Sequence, residues 1–302
     1  MSVQLQIASL ILLFAVGRLA RWRGWLGPPH AGRMLQLVVN VGLPAMLLAT
    51  LSRTPLGREL AALPVAAVVI MLVTMAVAVA LGRSMALPRA SLGAFIICSM
   101  SINDAFLFPF VLSGWGPQAF AQLALFDVGN SILQATAVFG TAAWYGGHSA
   151  SARALLQRML SFPPLWAVIV ALAINALQVP VPAVVLDTLG WVGRVILLLV
   201  ILALGILFDV RLLRSSRVLG ILLLRIGLGL ALAWGFVTLT GLTGLPRAVV
   251  LLAGMAPIGF SVVAMANREK LDSELAASAA SLTVLLALAY VPLMLWLLHL
   301  PA

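Results

Sequence analysis

Long apolar runs alternate with short polar connections along this chain, and the runs define its elements. Stretches of about 18 or more apolar residues recur, each long enough to cross a bilayer as a helix. Ten spans are expected, at roughly 2–20, 33–52, 60–82, 90–113, 117–144, 163–178, 185–208, 217–240, 246–267 and 274–299. Short connections imply one compact membrane domain. Two runs are interrupted. The fourth reads Cys98-Ser-Met-Ser-Ile-Asn103-Asp104-Ala-Phe-Leu-Phe-Pro109, with adjacent polar side chains near mid-depth and a proline soon after. The ninth contains Gly254-Met-Ala-Pro257-Ile-Gly-Phe-Ser261. Proline and glycine release backbone groups from the helix ladder. In hydrocarbon those groups must find partners inside protein or in a water-filled cavity. Paired interruptions at corresponding places in two halves point to a transporter's binding site.

Composition fits this picture: 63% of residues are apolar and only 9% charged. One cysteine, Cys98, excludes an intrachain disulfide and a thiolate metal cluster. His30, His148 and His299 lie far apart in connections or at a terminus, so no metal site is expected beyond sodium at Asp104. The net charge of +10 comes from arginines between the runs, which read as topology signals and not as a nucleic-acid surface. Connections after odd-numbered spans hold 13 of the 18 basic residues. That bias puts the odd connections in the cytoplasm and both termini on the periplasmic or extracellular side of the inner (plasma) membrane. Arg18, Arg21 and Arg23 follow the first run and no basic residue precedes it, the wrong polarity for a cleaved signal.

Ten spans divide five and five, with residues 1–145 and 162–302 as repeats and 146–161 as a cytoplasmic connection. An odd number per half inverts the second repeat. The expected fold is therefore an all-α polytopic membrane protein, two inverted five-helix repeats with crossing, unwound fourth and ninth helices.

Particular motifs carry a family resemblance. Leu37-Val-Val-Asn40-Val-Gly-Leu-Pro44, Asn103 to Pro109 followed by Gly116, Phe126-Asp127-x-x-Asn130, Arg225, and Met255-Ala-Pro257 with Ala264 and Lys270-Leu-Asp272-Ser-Glu274 occur in that order. Together they resemble the auxin efflux carrier family, including bacterial malonate or malate permease-type members. The resemblance runs nearly end to end. It implies a fold shared with bile acid–sodium symporters. Spans 1, 2, 6 and 7 would form a scaffold, often a homodimer contact, and spans 3–5 and 8–10 a moving elevator-type transport domain. Asp104 departs from the small or hydroxyl residue the family more often has there, and Ser261 from its asparagine.

Several intramembrane polar residues are site candidates. An ionised carboxylate at mid-bilayer costs roughly 2.5–3.5 kcal/mol on insertion scales. Asp104 therefore faces a cavity, pairs, takes a proton, ligates sodium, or caps a helix at the break. Asp127 and Asn130 lie one turn apart on the fifth span, with Gln134 extending the stripe. They would wall a substrate or ion path, or tie helices together. Arg225 is expected to pair with an inward aspartate such as Asp127. Arg194 would bind a substrate carboxylate or snorkel to the interface. Asn40 and Pro44 would kink the second span where scaffold meets moving domain. Ser101, Pro109, Pro257 and Ser261 complete the two breaks.

The leading function is a secondary transporter of a small mono- or dicarboxylate, working by alternating access at the crossover. Protons and sodium both remain open as coupling ion, as does uncoupled transport. No GxxxxGK[ST] motif is present, so ATP does not drive it directly. No serine–histidine pair, HExxH or GxGD context supports an intramembrane enzyme, and no soluble signalling domain supports a sensor. A drug/metabolite-type ten-helix carrier is the chief alternative.

Overall fold

A computed structural model describes residues 3–55, 57–147, 151–208 and 216–298. His148, His299, Arg211 and Arg214 lie outside the described residues. Regular structure among the described residues is entirely helical: α1 Val3–Trp22, α2 Pro28–Leu37, α3 Leu43–Leu51, α4 Ala62–Ser84, α5 Arg89–Met100, α6 Asp104–Leu133, α7 Phe139–Tyr145 and α8 Ala152–Leu160. Then follow α9 Pro163–Ala176, α10 Ala183–Leu207, α11 Ser216–Leu222, α12 Gly229–Thr240, α13 Gly244–Gly254, α14 Ser261–Arg268 and α15 Ser273–Leu297.

Only helices can satisfy every backbone group locally inside a bilayer without closing a barrel. Among the described residues, seven helical stretches are long and apolar enough to cross a membrane, or eight if the α8–α9 pair, bent by 60°, forms one span. This is a multi-pass membrane protein. The difference from the ten expected runs has a physical origin. Residues 89–145 count as one stretch of 57 residues, about 85 Å of helix against a hydrocarbon core of about 30 Å. Its path breaks at 101–103 and again at Gly116, where φ of 82° turns the chain within α6. The expected sixth and ninth spans fall short by length. Helix α9 has 14 residues, and the ninth run is split into α13 with 11 residues and α14 with 8.

Residues 89–145 are also the core. Their most apolar window is 89% buried, against 22% for α1. Phe95, Phe106, Phe108, Phe110, Phe120 and Phe126 are fully enclosed there. Outer helices instead show apolar side chains such as Leu12, Val184 and Leu239, as a lipid-facing surface requires. Helices α1 and α10 meet at Gly17 and Gly205, where a Cβ on either would strike the other helix's backbone. Small residues allow this approach, which is how helices gain contact area without a hydrophobic driving force.

Among the described residues, three π-helical turns interrupt helices at 38–42, 134–138 and 223–228. Such turns recur at functional sites. The first contains Asn40 and runs into Pro44, so the expected distortion of the second run takes this form.

Candidate functional site

The first break is the extended segment 101–103 between α5 and α6. Its backbone groups are served by side chains from further along the α6 run. Asn130 Nδ2 and Gln134 Nε2 donate to the Ile102 carbonyl at 3.3 and 3.2 Å. Gln134 Nε2 also donates to Ser101 Oγ at 2.7 Å. Asn103 caps α6, its Oδ1 accepting from Phe106 N at 3.2 Å. The cap is thus Asn103, and Asp104 stands free of that duty in the first turn.

The second break covers residues 255–260 between α13 and α14. Arg225, fully buried in the third π turn, donates from Nε to the Ala256 carbonyl at 3.1 Å and from Nη2 to the Gly254 carbonyl. Tyr290 on α15 donates its hydroxyl to the Met255 carbonyl. Thr283 Oγ1, also on α15, accepts from Ile258 N at 3.1 Å. The two breaks join directly, with Asn103 N donating to the Pro257 carbonyl at 3.0 Å. Backbone freed from both helices is therefore paired inside protein, as a low-dielectric interior demands.

A cavity of about 440 Å³ opens beside this junction. Asn103, Asp104 and Ala105 line it from the first break, and Gly259, Phe260 and Ser261 from the second. Asp127, Asn130, Ser131 and Gln134 form a polar wall. The α2–π–α3 run and α10 supply apolar surface through Val39, Leu43, Val200 and Leu204. Arg158 and Met159 of α8, with Phe162, complete the lining. Arg158 stacks over the Phe139 ring at 3.9 Å and is the one arginine among these lining residues.

Asp104 and Asp127 both stand in that wall and share one amide donor. Asn130 Nδ2 bridges them, at 3.2 Å from Asp104 Oδ2 and 2.7 Å from Asp127 Oδ1. Ser131 Oγ donates to Asp127 Oδ2 at 3.3 Å.

Expected site residues divide accordingly. Asn103, Asp104, Asp127, Asn130 and Ser261 meet at the cavity. Ser101 and Pro257 are buried just behind it and hold the breaks together. Pro109 is buried within α6 and is not among the lining residues. Asn40 and Arg194 are exposed, on the first π turn and on α10, and neither lines the cavity. Pro44 stands in the first turn of α3 and is not among the lining residues. Arg225 gives Nε and Nη2 to carbonyls that the second break leaves free, keeps a buried Nη1 with no hydrogen-bond partner among the described residues, and has Asp104 and not Asp127 in its field.

Sequence reading passed over Tyr290, Thr283 and Arg158. Tyr290 is one of only two tyrosines in the chain and interrupts an apolar run, which was a usable signal. Arg158 had a weaker one, since the segment holding it mixes polar and apolar residues at helical spacing.

No protein-family model matches the chain. It is similar to an uncharacterized transporter of Methanothermobacter thermautotrophicus, 23% identical over 292 residues covering 95% of each chain. It is also similar to an uncharacterized transporter of Methanocaldococcus jannaschii, 24% identical over 302 residues and 97% of each chain. Both relatives are called transporters, in keeping with a protein that is not an enzyme.

Proposed function

We propose that this protein is a secondary transporter of a small organic anion, a mono- or dicarboxylate, working by alternating access. The observation that carries this is the junction of two broken helices at one polar-walled cavity. The amino ends of α6 and α14 both reach that cavity, through Asp104 and Ser261. The positive ends of the two helix dipoles suit a carboxylate. Arg158 adds a guanidinium, whose planar fork matches a carboxylate's two oxygens. The similarity to two named transporters across nearly the whole chain supports the same reading.

In this proposal the helices form ten spans in two inverted repeats, 1–145 and 162–302, of the auxin efflux carrier type. The run at 89–145 supplies the fourth and fifth spans, and α13 with α14 the ninth. Spans 1, 2, 6 and 7 act as scaffold and homodimer contact, and the rest moves as an elevator. The membrane is the inner (plasma) membrane.

Counterflow in proteoliposomes tests the substrate class. A panel of radiolabelled mono- and dicarboxylates, amino acids and organic cations is offered to preloaded vesicles. At least one carboxylate should exchange saturably, and Arg158→Ala should raise its half-saturation concentration by roughly tenfold or more, the loss of one charge-assisted pair. Exchange of cations or neutral amino acids alone would overturn the anion assignment.

A further inference from the structure

We infer that Asp104 and Asp127 hold a single proton between them, and that this shared proton is the coupling ion. The second half rests on the transporter reading above; the first does not. The argument starts from counting donors and acceptors. Two carboxylates that share one amide donor, Asn130 Nδ2, disfavour each other's ionised form unless a cation or proton lies between them. The donors supplied to them are few. An amide nitrogen has two hydrogens. Asn130 Nδ2 has three acceptors in reach, one oxygen of each aspartate and the Ile102 carbonyl. Ser131 serves Asp127 alone. Asp104 Oδ1 and Asn130 Oδ1 are left buried with no partner among the described residues. Asp104 is 1% exposed and Asn130 4%, and both line the cavity. The pair is therefore short of a hydrogen, and one carboxyl proton supplies it.

Charge balance agrees. The neighbouring buried cation is Arg225, close enough to Asp104 for an electrostatic interaction. One positive guanidinium against two carboxylates leaves a net negative charge deep in protein, which is costly. One shared proton makes the set neutral. Other ionisable groups do not alter the count. Tyr290 faces Arg225 and the Met255 carbonyl. Cys98 on α5 lies in the field of Asp272, at the start of α15. Arg83 ends α4, Arg247 stacks over Trp234 at the start of α13, and Asp187 and Arg194 of α10 are exposed. Arg18 and Arg21 lie in the closing turns of α1. Arg158 reaches the cavity from α8, stacked over the Phe139 ring with Arg268 and Glu269 in its field.

A proton fits better than a metal cation. Asn130 turns its NH2 toward both carboxylates, placing a donor between them where a cation would need an oxygen. Coupling follows from the same charges. An organic anion entering a cavity walled by two carboxylates is repelled until the pair is protonated. Anion and proton then load together and leave together.

Infrared spectroscopy of the purified protein in lipid reads the proton directly, without substrate. At neutral pH the wild type should show a protonated-carboxyl C=O band that moves on deuteration. The band should vanish in Asp104→Asn and in Asp127→Asn alike, because either change leaves one carboxylate with its own donors. A band surviving in one of the two variants means a single aspartate holds the proton alone, and overturns sharing. No wild-type band at any pH, with melting temperature raised by sodium chloride but not by choline chloride, marks a sodium site and also overturns it. Those wild-type readings stand even if a variant fails to fold. The coupling half is read separately in proteoliposomes. Carboxylate counterflow that persists while an inward proton gradient drives no accumulation overturns coupling and spares the transporter reading.

Discussion

Single side chains at this site do the work that a continuous helix ladder would otherwise do. Arg225 satisfies two carbonyls at once because its donors diverge in one plane, and a lysine cannot reach both. Arg225→Lys should therefore orphan a buried carbonyl and destabilise the protein by about 1–3 kcal/mol, read as a lower melting temperature in detergent. A melting temperature equal to wild type would show that the clamp is dispensable. Asn103→Ala removes the α6 cap and should cost about 0.5–2 kcal/mol, whereas Asn103→Ser should retain most of the stability. The sequence made Asn103, Asp104, Asp127 and Asn130 legible because polar groups in an apolar run need a reason. It could not say which of Asn103 and Asp104 caps the helix, since both are good caps. Nor could it show that Arg225 reaches backbone, because carbonyls freed by a distant break leave no trace in local sequence.

At the scale of elements, glycine and proline mark the second break, since they release the backbone, whereas the first break, Ser101-Ile102-Asn103, holds neither and its α6 begins through the Asn103 cap. The π turns at 134–138 and 223–228 were not legible. One inserted residue within a helix leaves the apolar pattern almost unchanged, yet it sets where Arg225 points. The approach of α12 to α13 was equally hidden. Gly229 lies directly against the Gly254 carbonyl, and a Cβ there would also come within 2.8 Å of Arg225 Nη2. Gly229→Ala should push the two helices apart and weaken the clamp on the second break. Both melting temperature and carboxylate exchange should fall, by more than for Gly235→Ala on the same helix, where a Cβ meets nothing. Equal effects at the two glycines would mean that this approach does not position the break.

At the scale of the whole molecule, run lengths and arginine placement describe different things. Length and apolarity alone yield seven or eight crossings, because a broken span is short on each side of its break. Arginine placement alternates only if the broken runs also cross. The structure bears on this through the core: residues 89–145 are too long for one crossing and turn at Gly116. The parallel question for the second half is whether α13 and α14 continue through the membrane or return to one face. If they cross, Arg247 before α13 and Arg268 after α14 lie on opposite sides, and both termini lie outside. If they return, those two arginines share a side and the C-terminus moves to the cytoplasm. Fusions at the C-terminus separate the cases. With ten crossings an alkaline phosphatase fusion should be active and a green fluorescent fusion dark. A single-cysteine probe replacing Arg247, in a Cys98→Ser background, should react with an impermeant maleimide from outside, and one replacing Lys270 should not. Labelling of both from the same side would make the second break a re-entrant loop, and the inverted symmetry of the two halves would go with it.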